Sequence, residues 1–550
     1  MLGLILLVIG LIEAQLLNQA IPLETTKGTV LGEVVESSGT WGQVFESIPF
    51  AKPPSGELRF ELPEPRDPWK GVLDVRNQSA CYHYLRFSEK LPLLFWIHGG
   101  GFRVGGKYYY ENSGILRNIA SKRIVFASAD YRMGFEGFVA TRSNDMPGNL
   151  ALEDVALALK FLRENADSMG FDVNNIIVAG ESAGGTMAGI FGVSPRLKGE
   201  IHAAMLFSGF ASGPLAISTD ETLEWSQDVF RNCSCTGTVK EIKECMKVAP
   251  KTCYDNKATV DYFFTPILDK FRCQMSFMPE NTTTEMVKRR LGKRAHLPTL
   301  FSNVVHEMNE LSAESWVDGL VHVSYNETMI AMDLIDERFS INASDQSADR
   351  EQKFFKVGME AWTAETQQAL LFHADKKLTT YSILNDVFDE PNDKKLTTYS
   401  ILNDVFDEPN EAWTAETQQA LLFHADKKLT TYSILNDVFD EPNVPFTNPH
   451  CTDHGTDVSL LFDSTTIHHL RYSAFTPEDL ETGKKFSQKL SHLIKEFAYH
   501  RRIIDFSTFT EKKRVYQTIT YKSVNESDYD LDAYKFWQIT LPKRAGATGA

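Results

Sequence analysis

One short segment restricts the fold of this chain more than any other. Residues 176–179 are apolar and mostly β-branched, and they run directly into a G-E-S-A-G sequence centred on Ser182, which further small residues follow. This order predicts a buried strand, a sharp turn and the start of a helix. The turn is so crowded that it needs glycine on both sides, and it lifts the Ser182 hydroxyl clear of the sheet edge. We therefore interpret Ser182 as a candidate nucleophile rather than a structural serine.

The stretch around this turn alternates strand-like and helix-like patterns. Residues 93–97, 123–129 and 203–207 have the composition of further buried strands. Between the second of these and residue 176, apolar residues recur at helical spacing, at Val155, Leu159, Leu162 and Ala166. The alternation predicts an α/β fold with a mostly parallel central sheet, flanked by helices, in a single large domain. Any doubly wound enzyme has this alternation, so the kind of α/β protein has to be identified from the motifs at the strand ends.

A second motif, W-I-H-G-G-G-F at residues 96–102, ends the first of these strands. Phosphate-binding loops are also rich in glycine, but no Lys-Ser/Thr pair follows this one and its spacing is not G-x-G-x-x-G. Residues without side chains let backbone N–H groups approach an oxyanion, and we assign Gly100 and Gly101 to this role, with Ala183 as a third donor. Loss of one such donor typically costs about 3 kcal/mol of transition-state stabilisation.

A serine hydroxyl is a weak nucleophile at neutral pH, so a general base and an orienting carboxylate are expected downstream. The chain has 14 histidines, and spacing and order alone do not choose among them. His454 is attractive because it precedes Gly455 in a turn-like segment and is followed by an apolar run at 458–462.

Composition excludes several classes of protein. A chain of 550 residues that is 43% hydrophobic and 23% charged is not a disordered, collagen-like or small disulfide-rich protein. Its net charge of −17 argues against a nucleic-acid partner. Nucleophilic chemistry at a serine requires no metal and no cofactor.

The N-terminus predicts secretion. Residues 2–12 form an apolar run of signal-peptide length, and cleavage is expected after the small residue Ala14. Because no Lys or Arg precedes the run, an uncleaved anchor is the alternative, and no other apolar stretch is long enough to span a membrane. Six N-x-Ser/Thr sequons agree with entry into the secretory route, at Asn77, Asn232, Asn281, Asn326, Asn342 and Asn525.

Seven cysteines are few for this length, so disulfides are expected to close loops around an existing core. Either Cys233 or Cys235 is placed to pair with Cys245, and Cys253 with Cys273, although the sequence does not determine the connectivity. The odd number leaves at least one cysteine unpaired within the chain.

An identical repetition occupies part of the second half of the chain. The 33 residues at 360–392 recur without a change at 411–443, and their last 18 residues recur at 393–410. Each full block contains a helix-like and a strand-like part, and we expect a sheet to offer one position for a given strand. The repeats of a solenoid normally differ from one another at solvent-exposed positions, whereas these copies are identical. We therefore interpret the 51 additional residues as a recent duplication or a gene-model error rather than a functional array.

Further motifs, in order along the chain, resemble those of the type-B carboxylesterase and cholinesterase family of α/β-hydrolases. Besides the two glycine motifs they are S-I-P-F at 47–50, P-P-S-G-E-L-R-F at 53–60, D-Y-R-M-G-F-E-G-F at 130–138 and G-N-L-A-L-E-D at 148–154. The resemblance extends from about residue 28 to residue 537. It implies the α/β-hydrolase fold and a catalytic triad in the order serine, acid, histidine.

The resemblance also implies the other two members of the triad. The family's acid is usually a glutamate in an Asp-Glu-Gly context after a strand, and Glu307 occupies that place, with Glu310 as a rival because the flanking residues differ. The family's histidine stands in His-Gly-x-Asp/Glu before an apolar strand end, which His454 matches. The two residues are 147 positions apart, or 96 without the 51 additional residues, so the repetition lies between two triad members.

One segment of the family pattern is absent. In the family, the first cysteine is followed by a Ser-Glu-Asp-Cys-Leu segment and an early core strand, whereas here Cys81 is followed by Ser88-Glu89 and then at once by Lys90. The partner of Cys81 and the early strand are therefore predicted to be missing. The same loop carries part of the aromatic choline site of acetylcholinesterases, so that specificity is not predicted.

Together these features predict a secreted serine carboxylesterase that hydrolyses a small-molecule ester through an acyl-enzyme. The expected organisation is a signal peptide at 1–14, a hydrolase domain at 15–543 and a polar tail at 544–550. A cholinesterase-like adhesion or binding protein without catalysis is the alternative. Such proteins often lack triad residues, and this chain retains all three. A defective or misassembled chain is the third interpretation, and the oligomeric state stays open.

Overall fold

The computed structural model describes a subset of the chain: residues 20–37, 39–76, 82–84, 90–209, 219–255, 264–279, 298–304, 380–385, 432–434, 456–464, 477–501, 515–518 and 524–527. Several predicted features lie outside these residues, namely the leader, Glu307, Glu310, His454, Cys81 and the sequons at Asn77, Asn281, Asn326 and Asn342.

The strands within the described residues, in chain order, are β1 Ala20–Thr25, β2 Gly28–Ser37, β3 Thr40–Val44, β4 Val72–Asp74, β5 Tyr82–Tyr84, β6 Leu91–Ile97, β7 Val125–Ser128, β8 Ala140–Ser143, β9 Met146–Pro147, β10 Phe171–Glu181, β11 Ala203–Phe207, β12 Thr299–Val304, β13 Thr380–Asn385, β14 Tyr432–Ile434, β15 Val515–Thr518 and β16 Val524–Ser527. The helices are α1 Asn112–Asn118, α2 Gly134–Phe138, α3 Leu150–Glu164, α4 Ala166–Met169, α5 Ala183–Val193, α6 Thr219–Asn232, α7 Val239–Val248, α8 Thr456–Leu461 and α9 Pro477–His500.

The large sheet has a parallel centre and antiparallel margins. Its order is β1-β2-β3-β5-β7-β6-β10-β11-β12-β13-β14-β15-β16, with β4 beside β2, and β8 and β9 form a separate hairpin. Neighbours from β7 to β15 are parallel, whereas β1, β2, β3 and β5 pair antiparallel, as do β15 and β16. The four strands predicted around the serine turn are confirmed as β6, β7, β10 and β11.

Both faces of the parallel centre are covered, which explains why its strands have continuous apolar runs. All seven side chains of β6 are buried, for example. Leu93, Phe95 and Ile97 pack on one face with the apolar side of α3, the helix predicted from its periodicity. Leu94 and Trp96 pack on the other face with residues of α8 and α9. The central sheet therefore holds β6 and β10 rigidly, and both glycine motifs follow directly from these two strands.

The place of the predicted missing strand is partly filled. The three-residue β5 directly follows Cys81, and it lies between β3 and β7 in the sheet. It pairs with β3 over three residues but with β7 only through Tyr82 and Phe126. The prediction that the early strand is missing is therefore wrong in part, because the extended chain after Cys81 forms a three-residue strand at this place.

The repeated segment contributes two neighbouring strands to the sheet. β13 comes from the first copy and β14 from the second, and they pair in parallel with Tyr381 opposite Tyr432 and Ile383 opposite Ile434. The expectation that a sheet has one position for this strand is therefore wrong. A sheet whose last parallel strand has an open edge accepts another strand of the same sequence, because pairing uses backbone groups that every residue possesses.

Two disulfides connect the segments around α6 and α7. Cys235 pairs with Cys245, which was one of the predicted alternatives, and the Cα atoms are 5.6 Å apart. The predicted pairing of Cys253 with Cys273 is wrong, because Cys253 pairs with Cys233 at a Cα separation of 5.1 Å, whereas Cys273 is free and exposed. The turn that follows α7 brings Cys253 back against the end of α6, a proximity that linear spacing does not reveal.

Among the described residues, the longest helices carry too many polar residues to cross a membrane, and none qualifies as a membrane-spanning segment.

Candidate active site

Ser182 occupies the tight turn that the sequence predicts. β10 ends at Glu181, α5 begins at Ala183, and Ser182 between them has φ 54° and ψ −125°. This conformation is rarely adopted by a residue with a side chain, so the surroundings must hold it. The Ser182 N–H donates to Phe207 O at 2.8 Å and its carbonyl accepts from Thr186 N at 2.9 Å. These two bonds fix the turn between the neighbouring strand and the helix.

The glycines on either side of Ser182 are required by crowding. A Cβ atom placed on Gly180 would lie 2.4 Å from the carbonyl of Gly184, and one on Gly184 would lie 2.1 Å from Ile97 O. Both contacts are with backbone, so no side-chain rotation relieves them. The predicted reason for the G-x-S-x-G spacing is therefore confirmed in the geometry.

Gly209 is a further requirement of the turn that the sequence does not reveal. A Cβ atom at this position would lie 2.0 Å from Ser182 O, so the chain that leaves β11 passes directly over the serine backbone. Gly209 is separated from Ser182 by a helix and a strand, and no local pattern marks it. Only the parallel pairing of β10 with β11 brings the two residues together.

The glycine loop after β6 lies against Ser182, as predicted from the motif pair. A Cβ atom on Gly99 would be 3.1 Å from the Cβ atom of Ser182 and 2.3 Å from Oε2 of Glu181. Gly100 and Gly101 follow with φ values of 110° and 60°, and the N–H groups of Arg103 and Val104 both donate to Gly100 O at 3.0 Å. The loop therefore folds tightly at the C-terminal end of the sheet, next to Ala183 at the start of α5.

The buried side chain of His98 helps to hold the glycine loop in place. Its ring is fully buried and stacks on Tyr131, with the ring centroids 4.3 Å apart, and the Tyr131 hydroxyl donates to His98 O at 2.9 Å. Burial lowers the pKa of His98, so the ring is neutral near pH 7. The neutral tautomer donates from Nδ1 to Gly99 O at 2.9 Å. His98 thus acts as a scaffold for the glycine loop and not as a general base.

Glu181 places a buried carboxylate directly beside the serine turn. The residue is 4% exposed, and its side chain lies against Gly99. Burial, and then the negative charge of Glu181, raises the pKa of both Tyr110 and Tyr131, so these phenols keep their protons at physiological pH. Position 181 is variable in the G-x-S-x-G pattern, so only its burial marks Glu181 as part of the site.

The segments that carry the predicted acid and base meet near this site. β12 ends at Val304, three residues before Glu307, and α8 begins at Thr456, two residues after His454. The Ser302 hydroxyl of β12 donates to the buried carboxylate of Asp457 in α8 at 3.4 Å. Two chain segments that are distant in sequence thus come together two strands from Ser182. Glu307 and His454 themselves lie outside the described residues.

The apolar run after His454 is helical, not the strand end that the family motif predicted. Residues 456–461 form α8, which α1 anchors: Arg117 forms an ion pair with Asp463, and Asn118 Nδ2 donates to Leu461 O at 2.6 Å. The ring of Phe462 packs on Trp96 of β6, with centroids 4.8 Å apart. These contacts hold the chain that follows His454 against the strand that carries the glycine loop.

Among the described residues, another histidine is placed away from the site. The Nδ1 atom of His202 accepts a hydrogen bond from Ile176 N at 3.2 Å, close to the start of the paired region of β10 and opposite the end that carries Ser182. Burial, and then the charge of Arg163, lowers the pKa of His202. His202 is therefore excluded as the base.

The motif at residues 148–154 builds the framework around the site rather than its chemistry. Asn149 accepts from Ile267 N at 2.9 Å and donates to Ile267 O at 2.8 Å, which fixes the loop that passes the start of α3. Asp154 binds the Arg132 guanidinium through two contacts, at 2.8 and 2.6 Å. Glu153 joins Arg196 and Arg272 in a buried cluster. Each of these residues connects α3 to a different part of the fold.

Comparison with known proteins agrees with this arrangement. The family model described as the carboxylesterase family matches residues 19–90 and 80–537. The chain belongs to the carboxylesterase family. Its fold is therefore an α/β-hydrolase fold, in agreement with the parallel sheet and its flanking helices. The two matched stretches overlap at residues 80–90, the part of this carboxylesterase-family chain that contains the short β5.

Curated relatives of this carboxylesterase-family chain match part of its length. It is 35% identical over 253 residues to Gut esterase 1 of Caenorhabditis elegans, covering 41% of this chain and 43% of that protein. It is 33% identical over 260 residues to Juvenile hormone esterase of Tribolium castaneum, with 41% and 43% covered. It is 30% identical over 283 residues to Acetylcholinesterase of Leptinotarsa decemlineata, with 41% and 45% covered. The matched part spans less than half the length of these relatives.

Proposed function

We propose that this protein is a secreted serine carboxylic-ester hydrolase of type B, with a triad of Ser182, His454 and Glu307. The observation that carries the proposal is the packing of the glycine loop against the Ser182 turn, with Gly99 next to the Ser182 side chain. This juxtaposition supports the proposal that backbone donors of the loop lie beside the strained Ser182 turn, an arrangement that acyl transfer requires. The esterase names of the relatives agree with this chemistry.

In the proposed reaction Ser182 Oγ attacks the ester carbonyl carbon while His454 accepts the hydroxyl proton. The N–H groups of Gly100, Gly101 and Ala183 stabilise the oxyanion of the tetrahedral intermediate, which the N-terminus of α5 also favours. The intermediate expels the alcohol with the proton from His454 and leaves an acyl-enzyme. Water then repeats the sequence and releases the carboxylic acid. Glu307 orients the His454 ring and stabilises its cation.

The approach of Ser302 to Asp457 supports the assignment of the acid and the base. Ser302 is five residues before Glu307, and Asp457 is three residues after His454. Short connections from two contacting residues allow both side chains to reach the same end of the sheet.

Passage through the secretory route is supported by the cysteines and by one sequon. Disulfides such as Cys233–Cys253 and Cys235–Cys245 form and persist in oxidising compartments. Asn232 is exposed at the end of α6, directly before Cys233, so an oligosaccharide there would project into solvent. Asn525 lies in β16.

Hydrolysis of a simple aryl acetate by the purified protein tests the proposal. We expect Ser182→Ala to reduce kcat by about 10⁴-fold or more, because the nucleophile is lost. We expect Glu307→Gln to reduce kcat strongly and Glu310→Gln to leave it unchanged, and the reverse result would transfer the role of the acid to Glu310. An unchanged unfolding midpoint in each variant is the control for folding.

Labelling with an organophosphate probe separates catalysis from the alternative of an adhesion or binding protein. An activated serine reacts with the probe, so mass spectrometry should place one adduct on Ser182 in the parent protein and none in Ser182→Ala. A folded parent protein that neither reacts with the probe nor hydrolyses the ester would refute the esterase assignment and favour the adhesion protein.

A further inference from the structure

The two neighbouring strands β13 and β14 have the same sequence and the same register. Each residue of β14 lies opposite its own copy in β13, because Tyr381 pairs with Tyr432, Ser382 with Ser433 and Ile383 with Ile434. The offset of 51 positions equals the length of the additional residues. The sequence T-Y-S-I-L-N occurs at 380–385, again at 398–403 and again at 431–436. The copy at 398–403 lies outside the described residues.

We infer that these identical segments are interchangeable occupants of the sheet position beside β12, and that one of them is sufficient for the fold. In the structure, β13 fills this position through six pairs, from Thr299 with Thr380 to Val304 with Asn385. Replacing β13 by residues 431–436 puts the same residue opposite each residue of β12. The pairing itself therefore contains nothing that distinguishes the copies.

Chain connectivity distinguishes them only weakly. The first copy is joined to β12 by 75 residues and the last by 126 residues, counted from residue 305 to the residue before each copy, at 380 and at 431. Loop-closure entropy grows with the logarithm of length, so this difference favours the first copy by only about twofold. Both arrangements are therefore expected to be populated in folded molecules.

β14 has a weak connection to the remainder of the sheet, which indicates that its position is dispensable. It pairs with β13 over three residues and with β15 through Ile434 and Gln517. Removing residues 393–443 gives a chain of 499 residues with a single copy. Removing residues 360–410 gives the same amino-acid sequence, because the copies are identical. Deletion thus defines one single-copy variant, and point substitutions are needed to separate the copies.

Proline substitution in the full chain tests interchangeability. Proline inside a paired strand removes a ladder N–H group and disrupts the strand. We expect Ser382→Pro, Ser400→Pro and Ser433→Pro each to shift the thermal midpoint by no more than about 2 °C, because another copy takes the position. The triple variant, and Ser382→Pro in the 499-residue chain, should lose the cooperative transition. The inference would be overturned if Ser382→Pro abolished the cooperative transition of the full chain. It would also be overturned if the triple variant still unfolded cooperatively, or if the unsubstituted 499-residue chain did not fold.

Disulfide cross-linking of β12 to each copy measures which copy occupies the sheet position beside β12. Thr299 lies opposite Thr380, so a Thr299→Cys/Thr380→Cys variant should form a disulfide in the folded protein. The inference predicts that Thr299→Cys/Thr431→Cys forms the corresponding disulfide in a comparable fraction of molecules, detected as a linked peptide pair by mass spectrometry. Thr299→Cys paired with Lys485→Cys, at an exposed position of α9, serves as the background control. Linkage to residue 380 alone, with residue 431 at the background level, would show that the copies are not interchangeable.

Discussion

At the scale of single residues, the site depends on positions that cannot carry a side chain. Gly180 and Gly184 flank Ser182, Gly209 passes over its carbonyl, and Gly99 lies against its side chain. The motif at 180–184 predicts the first two because crowding acts within five residues of sequence. The other contacts arise between strands that are adjacent only in the folded sheet.

Substitution of Gly184 should therefore be far more damaging than an ordinary glycine substitution. A Cβ atom on Gly184 would lie 2.1 Å from Ile97 O, so we expect Gly184→Ala to cost about 3 kcal/mol of unfolding free energy and to reduce ester hydrolysis strongly. Gly199 has φ +83° and no neighbouring atom within 4 Å of a Cβ position, so Gly199→Ala isolates the conformational cost of about 1 kcal/mol. Urea unfolding of both variants measures the difference, and equal costs would contradict the crowding argument.

At the scale of elements, α8 and α9 pack on one face of the sheet that carries the site. Phe462 after α8 and Leu490 and Ile494 of α9 are fully buried against the residues of β6 that face them. The same amphipathic helix α9 carries Lys489 at its partly buried margin. Burial lowers the pKa of Lys489 to about 8.

The lowered pKa of Lys489 predicts a pH-dependent stability. Between about pH 8 and the ordinary lysine value near 10.5, the unfolded chain binds more protons than the folded protein, so stability rises with pH across this window. Below pH 8 both states are protonated and the full cost of the buried charge remains. Because the side chain is partly exposed, we expect Lys489→Met to increase stability at pH 7 by only about 1 kcal/mol and to flatten the rise.

Urea unfolding at several pH values between 7 and 10 measures this effect. Lys485→Met on the exposed side of the same helix is the matched control, since it removes the same charge without burial. If both variants change the unfolding free energy equally at every pH, burial of Lys489 is not the cause.

At the scale of the whole molecule, the sheet consists of parts that are connected with different strength. β10 pairs with β6 over six residue pairs and with β11 over five. The antiparallel margin formed by β1, β2 and β3 reaches the parallel centre through the short β5, which pairs with β7 at Tyr82 and Phe126. Outside the sheet this margin has a further anchor in Thr26, whose N–H donates to Asn165 Oδ1 at 2.7 Å.

Hydrogen exchange should therefore reveal a separate opening of the margin. We expect amides of β2 and β3 to exchange at least about tenfold faster than those of β6 and β10 after correction for intrinsic rates, because little pairing connects the margin to the centre. Exchange mass spectrometry of the folded protein measures both regions at once. Equal protection in the two regions would mean that the whole sheet opens as one cooperative unit.

Local sequence determined the elements around the site and the reason for their glycines. Strands β6, β7, β10 and β11, helix α3 and the turn at Ser182 are all encoded within short windows, where periodicity and crowding act directly. The family resemblance implied a strand end after His454, and it was wrong because tertiary contacts with α1 and β6 favour the helix α8 there.

Only the tertiary structure decided how distant segments combine. It paired Cys253 with Cys233, brought Gly209 onto Ser182, joined Ser302 to Asp457 and gave two identical strands neighbouring positions in the sheet. Each of these outcomes depends on the separation of two residues in space, which strand order sets and linear spacing does not. The sequence by itself therefore determined the strands, the turn and the glycines around Ser182, and the fold decided which distant residues surround them.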